Sequence, residues 1–205
     1  AIGVGKMTFG GLGCNIFNPA LVGRVFLLIS FPVQMTSWPK VGQWMSYTDA
    51  ETAATPLALM KDAVKGNMEA LGNLPESIDL FLGNSPGCIG EISTVALLLG
   101  LAFMLWRKII TWHIPVSIFA TVALFATIYG AFSFDTPHLA SNFALFHLLS
   151  GGVVLGAVFM ATDYVTSPMT TKGMVIYGVG IGALTMVIRL WGAYPEGMSF
   201  AILIM

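Results

Sequence analysis

The chain has 205 residues, of which 56% are hydrophobic and 9% charged, and its net charge is −1. Soluble domains carry about 25% charged residues, so this composition, with a mean hydropathy of +0.83, excludes an ordinary soluble enzyme and points to an integral membrane protein. The near-balanced charge gives no footing for a nucleic-acid partner, and Cys14 and Cys88 form neither a CxxC pair nor a zinc spacing.

Residues 1–15 are glycine-rich, and Gly10-Gly11-Leu12-Gly13 reads either as a weak phosphate-loop pattern or as flexible backbone. Ala1 is not an initiator methionine and Met205 ends inside an apolar run, so the chain reads as a piece of a longer protein. Residues 16–32 form a first apolar span, short for a bilayer at ~1.5 Å rise per residue, with Asn15, Asn18 and Arg24 near one end. Residues 33–80 are the one long hydrophilic stretch. Within it Leu57, Met60, Val64, Met68 and Leu71 recur at helical spacing, which predicts an amphipathic surface helix over 56–71, closed by Gly72, Asn73 and Pro75.

Further spans are predicted over 92–106, 114–134, 139–161 and 174–191, and residues 197–205 begin another. A tight Asp135-Thr136-Pro137-His138 turn joins the second and third of these. The expected fold class is an all-α integral membrane protein. It is read as a polytopic helical bundle, one membrane domain over 1–205, with an external loop at 33–80.

Thr55 precedes Pro56 at the start of the amphipathic pattern and reads as a helix N-cap with proline at the first helical position. Free backbone N–H groups and the positive end of the helix dipole then face the Thr55 hydroxyl, a setting that suits a phosphate. Ala53 and Ala54 are small enough to leave that hydroxyl sterically open. The plain alternative is a capping threonine and nothing more.

The positive-inside rule places Lys6, Arg107, Lys108 and Lys172 on the cytoplasmic side and Thr55 outside, with Arg189 and Glu196 also on the outer side. His147 and Arg24 lie in or near apolar spans, where ionisable groups are costly. For His147 the choices are a proton relay, a cofactor partner, or a neutral ring bonded to a nearby carbonyl. Arg24 is expected to pair with a buried partner or to reach the headgroups. His113 and His138 read as interfacial, and Trp38, Trp44, Trp106, Trp112 and Trp191 suit the membrane–water belts.

Phe9-Gly10-Gly11-Leu12-Gly13-Cys14-Asn15-Ile16-Phe17-Asn18-Pro19-Ala20, Gly90-Glu91-Ile92-Ser93-Thr94, Ala161-Thr162-Asp163, Thr166-Ser167-Pro168 and Tyr194-Pro195-Glu196-Gly197 together resemble the RnfD/NqrB family. These are flavin-carrying membrane subunits of the Rnf ferredoxin:NAD oxidoreductase and of the sodium-translocating NADH:quinone reductase. The 33–80 loop and Arg189-Leu190-Trp191-Gly192 resemble the Rnf branch of the family, with the B subunit of the quinone reductase as the alternative. The resemblance implies helices before Ala1 and a completed helix after Met205.

It also implies covalent FMN through a phosphoester on Thr55, the last residue of Thr52-Ala53-Ala54-Thr55, where Ala53 replaces the family's usual glycine. Thr52, Glu91, Ser93, Thr94, Tyr194 and Glu196 would share the outer face with that FMN; for Glu91 a helix-start carboxylate is the alternative. Asn15, Asn18, Thr162, Asp163 and Thr166 would hold a non-covalent riboflavin at the inner face. Capping of the first span by Asn15 and Asn18, and a cytoplasmic-turn role for Asp163, are the alternatives there. No metal is expected on this chain, and Cys14 and Cys88 are read as free thiols unless a partner's iron–sulfur centre lies nearby.

Implied partners are an FMN-bearing G subunit, the membrane A and E subunits and the lipid bilayer. The implied setting is a prokaryotic cytoplasmic membrane, and the implied role is electron relay between ferredoxin and NAD coupled to Na+ or H+ transport. Two other classes stay open. One is a flavin-free secondary transporter with broken helices, which Gly151-Gly152, Gly178, Gly180 and Gly182 allow, although close helix packing explains those glycines more simply. The other is a scaffold protein of the complex without flavin.

Overall fold

A computed structural model describes residues 1–36, 38–39, 52–64, 74–88, 90–133 and 137–205. In chain order its helices are α1 (Ile2–Gly5), α2 (Pro19–Ser30), α3 (Pro32–Thr36), α4 (Pro56–Val64), α5 (Ser77–Leu82), α6 (Thr94–Trp106), α7 (His113–Ser133), α8 (Pro137–Leu149), α9 (Val153–Met160), α10 (Thr171–Trp191) and α11 (Met198–Ile204). Strands β1 (Trp38–Pro39) and β2 (Thr52–Ala53) pair antiparallel, Trp38 opposite Ala53 and Pro39 opposite Thr52. The architecture is the expected all-α membrane bundle, with that short strand pair at the foot of α4.

Among the described residues α7 and α10, each 21 residues, are long and apolar enough to cross a membrane. They pack side by side because glycines on α10 let the backbones approach. A Cβ at Gly178 would run into the Ser117 hydroxyl, and one at Gly182 would lie 2.7 Å from Thr121 Cβ and 3.1 Å from the Ile118 carbonyl. Ile118, Val122, Ala126, Ile181 and Met186 are fully buried along this seam. Tyr129 ties one end of the seam, stacking on Phe143 of α8 and meeting Trp191 of α10 edge-on. Phe132, Trp106 and Leu124 point outward, an apolar exterior suited to lipid.

The first expected span is a 12-residue helix, ~18 Å long against the ~30 Å of a hydrocarbon core. Its start is set by Asn18, whose Oδ1 accepts from the Ala20 and Leu21 N–H groups, with Pro19 at the first helical position. The span expected over 139–161 is not continuous. α8 and α9 meet at a 61° bend, and Gly151 sits at the break with φ +66, a left-handed conformation that other residues adopt at a cost. Close packing therefore accounts for Gly178 and Gly182, and a helix break accounts for Gly151. α9 itself widens to π-helical geometry over Gly156–Met160.

The hydrophilic stretch folds onto this break. Leu57 and Met60, two of the predicted apolar stripe, are buried; a Cβ at Gly151 would collide with the Leu57 side chain. The rest of that predicted helix, including Met68 and Leu71, lies outside the described residues, as do the 40–51 part of the loop and Trp44. α5 adds Leu80 to the same core before Gly83, at φ +97, turns the chain toward α6.

Candidate functional site

Thr55 is the cap that the sequence predicts. Its hydroxyl accepts from the Ala58 N–H at 3.3 Å, and its carbonyl accepts from Ala58 and Leu59 at 2.9 and 3.1 Å. The flanking alanines do not leave it open, however: Thr55 is only 9% exposed, because α4 is pressed against the α8–α9 break. Its side chain borders a cavity of about 20 Å3 with Ser85, Gly87, Glu91, Gly151 and Glu196. On the other side it borders a cleft of about 30 Å3 with Arg24, Trp38, Cys88, Tyr194 and Glu196.

Arg24, from the middle of α2, lines the second of these. Its Nη2 donates to Glu91 at 3.4 Å and to Glu196. Glu91 is 4% exposed and lies in the turn before α6, its Oε2 over Gly152. Burial pushes its carboxyl up to about 7, Glu196 adds to the rise, and Arg24 opposes both. The Cys88 N–H donates to Glu91 Oε1 at 3.3 Å. Burial, then Glu91, also raise the Cys88 thiol, keeping it protonated and a poor nucleophile. Cys14 and Cys88 are both free thiols.

A second polar group fills the break. Arg189, two residues before the end of α10, is 4% exposed and donates to the His147 and Ser150 carbonyls at 2.6 and 2.9 Å. These are carbonyls that α8 can no longer satisfy, so the arginine caps the broken helix. His147 Nδ1 faces Arg189 Nη1 at 3.4 Å, and its ring sits edge-on to Phe143 at 4.4 Å. Lys61 of α4 donates to the Gly192 and Tyr194 carbonyls, fastening α4 to the end of α10.

Of the residues expected at the outer face, Glu91, Tyr194 and Glu196 line the cavities beside Thr55. Thr52 supplies backbone to the strand pair. Ser93 and Thr94 do other work. Ser93 caps α6 through the Ala96 N–H, and Thr94, 1% exposed, donates toward the Leu80 and Leu149 carbonyls.

Of the residues expected at the inner face, Asn15 donates to the Phe17 carbonyl and Asn18 caps α2. Thr166 donates to Asp163 at 3.2 Å, and Thr162, which donates to the Val158 carbonyl, borders a cavity of about 100 Å3 with Thr111, Tyr164 and Ser167. Asn15 and Asn18 are not among the residues lining that cavity.

Sequence reasoning missed Arg189 as a buried group and Lys61 as a clasp. The signal for Arg189 was a lone arginine inside the apolar run of α10, where an ionisable residue marks a packed or functional position.

All of residues 1–205 match the profile of the NQR2, RnfD, RnfE family. The chain belongs to that family. It is 47% identical over 207 residues to the D component of the Na(+)-translocating ferredoxin:NAD(+) oxidoreductase complex of Acetobacterium woodii, an alignment covering 100% of this chain and 58% of the relative. It is 44% identical over 207 residues to the D component of the proton-translocating ferredoxin:NAD(+) oxidoreductase complex of Clostridium ljungdahlii, covering 100% and 61%. The D component of the ion-translocating oxidoreductase complex of Stutzerimonas stutzeri is 40% identical over 230 residues, covering 100% and 63%. The chain thus spans about three fifths of the length of these members of the NQR2, RnfD, RnfE family.

A flavin phosphate on Thr55 can be tested against this geometry. The N-cap position, the Ala58 N–H and the nearby Arg24 suit an anionic diester. The cavities themselves have room for a water or a phosphate oxygen, not for an isoalloxazine ring. The ring would lie outside them, along the Trp38 and Tyr194 side.

Proposed function

We propose that this chain is part of the D component of an ion-translocating ferredoxin:NAD oxidoreductase complex and carries FMN as a phosphodiester on Thr55. The observation that carries the reading is Thr55 itself: a hydroxyl at a helix N-terminus, bordered by Arg24, in a chain 47% identical to a relative bearing that name. The flavin, when bound, supplies one- and two-electron transfer; the protein positions it and keeps its surroundings dry. Arg24 and the α4 N-terminus hold the diester, Tyr194 and Trp38 flank the ring, and Glu91 holds or releases a proton beside it. Charge arriving in this low-dielectric setting couples strongly to ions nearby, which links electron transfer to Na+ or H+ movement.

The same reading assigns Asn15, Asn18, Thr162, Asp163 and Thr166 to a non-covalent riboflavin at the opposite face. It also gives the chain FMN-bearing G and membrane A and E subunits as partners, with Thr55 outside a prokaryotic cytoplasmic membrane. Full-length protein from a flavin-replete host tests it. The polypeptide is expected to show acid-stable in-gel flavin fluorescence and an FMN-sized mass increment, both lost in Thr55→Val. Covalent fluorescence retained in Thr55→Val would overturn the site.

The broken α8–α9 pair favours one other reading, a secondary transporter with its site at the break. Arg189 occupies the freed carbonyls there, which weighs against an open ion pathway. Visible absorption of the purified protein separates the two, because a transporter without flavin is colourless.

A further inference from the structure

On the far side of α4 from Thr55, Leu57, Met60, Lys61, Phe143, His147 and Arg189 enclose most of a cavity of about 40 Å3, room for one small ion or a water. Two of its polar walls are unsatisfied. Among the described residues Arg189 Nε and His147 Nε2 have no hydrogen-bond partner, although the residues are 4% and 3% exposed. Both atoms are donors. Arg189 can only donate, so His147 Nδ1, which faces it, accepts, and the ring proton sits on Nε2. Ser150, whose carbonyl Arg189 holds, carries a third unpartnered atom, its buried Oγ.

The charge is unsatisfied as well. Arg189 has no carboxylate partner among the described residues, because both nearby carboxylates, Glu91 and Glu196, are held by Arg24. A water could accept from the two N–H groups, but it would leave a buried guanidinium without a counterion among the described residues. Lys61 aside, everything else in the lining is apolar. We propose that this cavity is a binding site for a small monovalent inorganic anion, held by Arg189 Nε–H and His147 Nε2–H, which locks the break between α8 and α9 against α4.

This inference does not depend on the flavin. It is tested on the full-length protein in its detergent-solubilised complex, by thermal unfolding in sodium chloride against sodium gluconate at equal ionic strength; gluconate is too large for the cavity. Chloride is expected to raise the midpoint saturably, with bromide replacing it. Arg189→Gln should abolish the response and His147→Leu should weaken the apparent affinity at least tenfold. Should Arg189→Gln fail to fold, His147→Leu, which keeps the guanidinium, carries the comparison. Bromide anomalous density between Arg189 and His147 would support the site directly.

Equal midpoints in the two salts, or a chloride response unchanged in both variants, would overturn the proposal in favour of a water-filled cavity. A response that emerges only in Thr55→Val would also overturn it, by showing that the attached group itself fills the space.

Discussion

Arg24 lies 3.4 Å from Glu91, across 67 positions of sequence, and the same nitrogen also serves Glu196. A single guanidinium thus joins α2, the turn before α6 and the segment before α11. It does so beside the Thr55 cap, so this end of the bundle is organised by charge in a protein otherwise held by apolar packing.

Removing that guanidinium leaves two mostly buried carboxyls facing each other. Arg24→Met is expected to destabilise the protein by about 3 kcal/mol, as for other interior pairs that lose one partner. Most of the loss should return in Arg24→Met/Glu91→Gln/Glu196→Gln, read by thermal midpoint. If the triple variant recovers nothing, the cost belongs to packing of α2 and not to charge.

Glu91 gives the stability a pH dependence of definite sign. Its carboxyl titrates at about 7 when folded, against 4.5 ordinarily, so between these values the folded chain keeps a proton that the unfolded chain has lost. Its contribution is full below about pH 4.5, falls as pH rises to about 7, and is flat above; the total is roughly 3 kcal/mol. Glu91→Gln should remove this slope from a denaturation series, and an undiminished slope would assign it to a different group.

Gly151→Ala places a side chain at φ +66 and against Leu57. The left-handed backbone costs about 1–2 kcal/mol, and the collision adds about 1–3 kcal/mol. Leu57→Ala in the same chain should relieve the second part, giving a coupling of roughly 1 kcal/mol or more in a double-mutant cycle. Strict additivity would show that α4 does not bear on the break.

Asn18→Ser separates two roles that coincide at one residue. Serine keeps the α2 cap, so the thermal midpoint should move by only a few tenths of a kcal/mol. The amide is gone, so non-covalent riboflavin per mole of protein should fall while covalent flavin on Thr55 is retained. Unchanged riboflavin content would leave Asn18 as a cap alone.

Much of this was legible in the sequence. Oil content and 3.6-residue spacing along the chain determined the membrane class, the two full-length spans and the inward Leu57 and Met60 of α4, since each depends only on residues near in sequence. The Asn18 and Thr55 caps were equally local, one side chain reaching N–H groups two or three residues ahead.

What tertiary structure decided was which charges meet. Nothing local to Arg24 distinguishes Glu91 from the other acids. Nor does the Gly151-Gly152 pair say whether it packs or breaks; that is settled by Arg189 arriving from α10 to take the freed carbonyls. Apolar burial adds up residue by residue and can be read along one dimension. Pairing a buried charge depends on how distant segments fold together, and only three dimensions supply it.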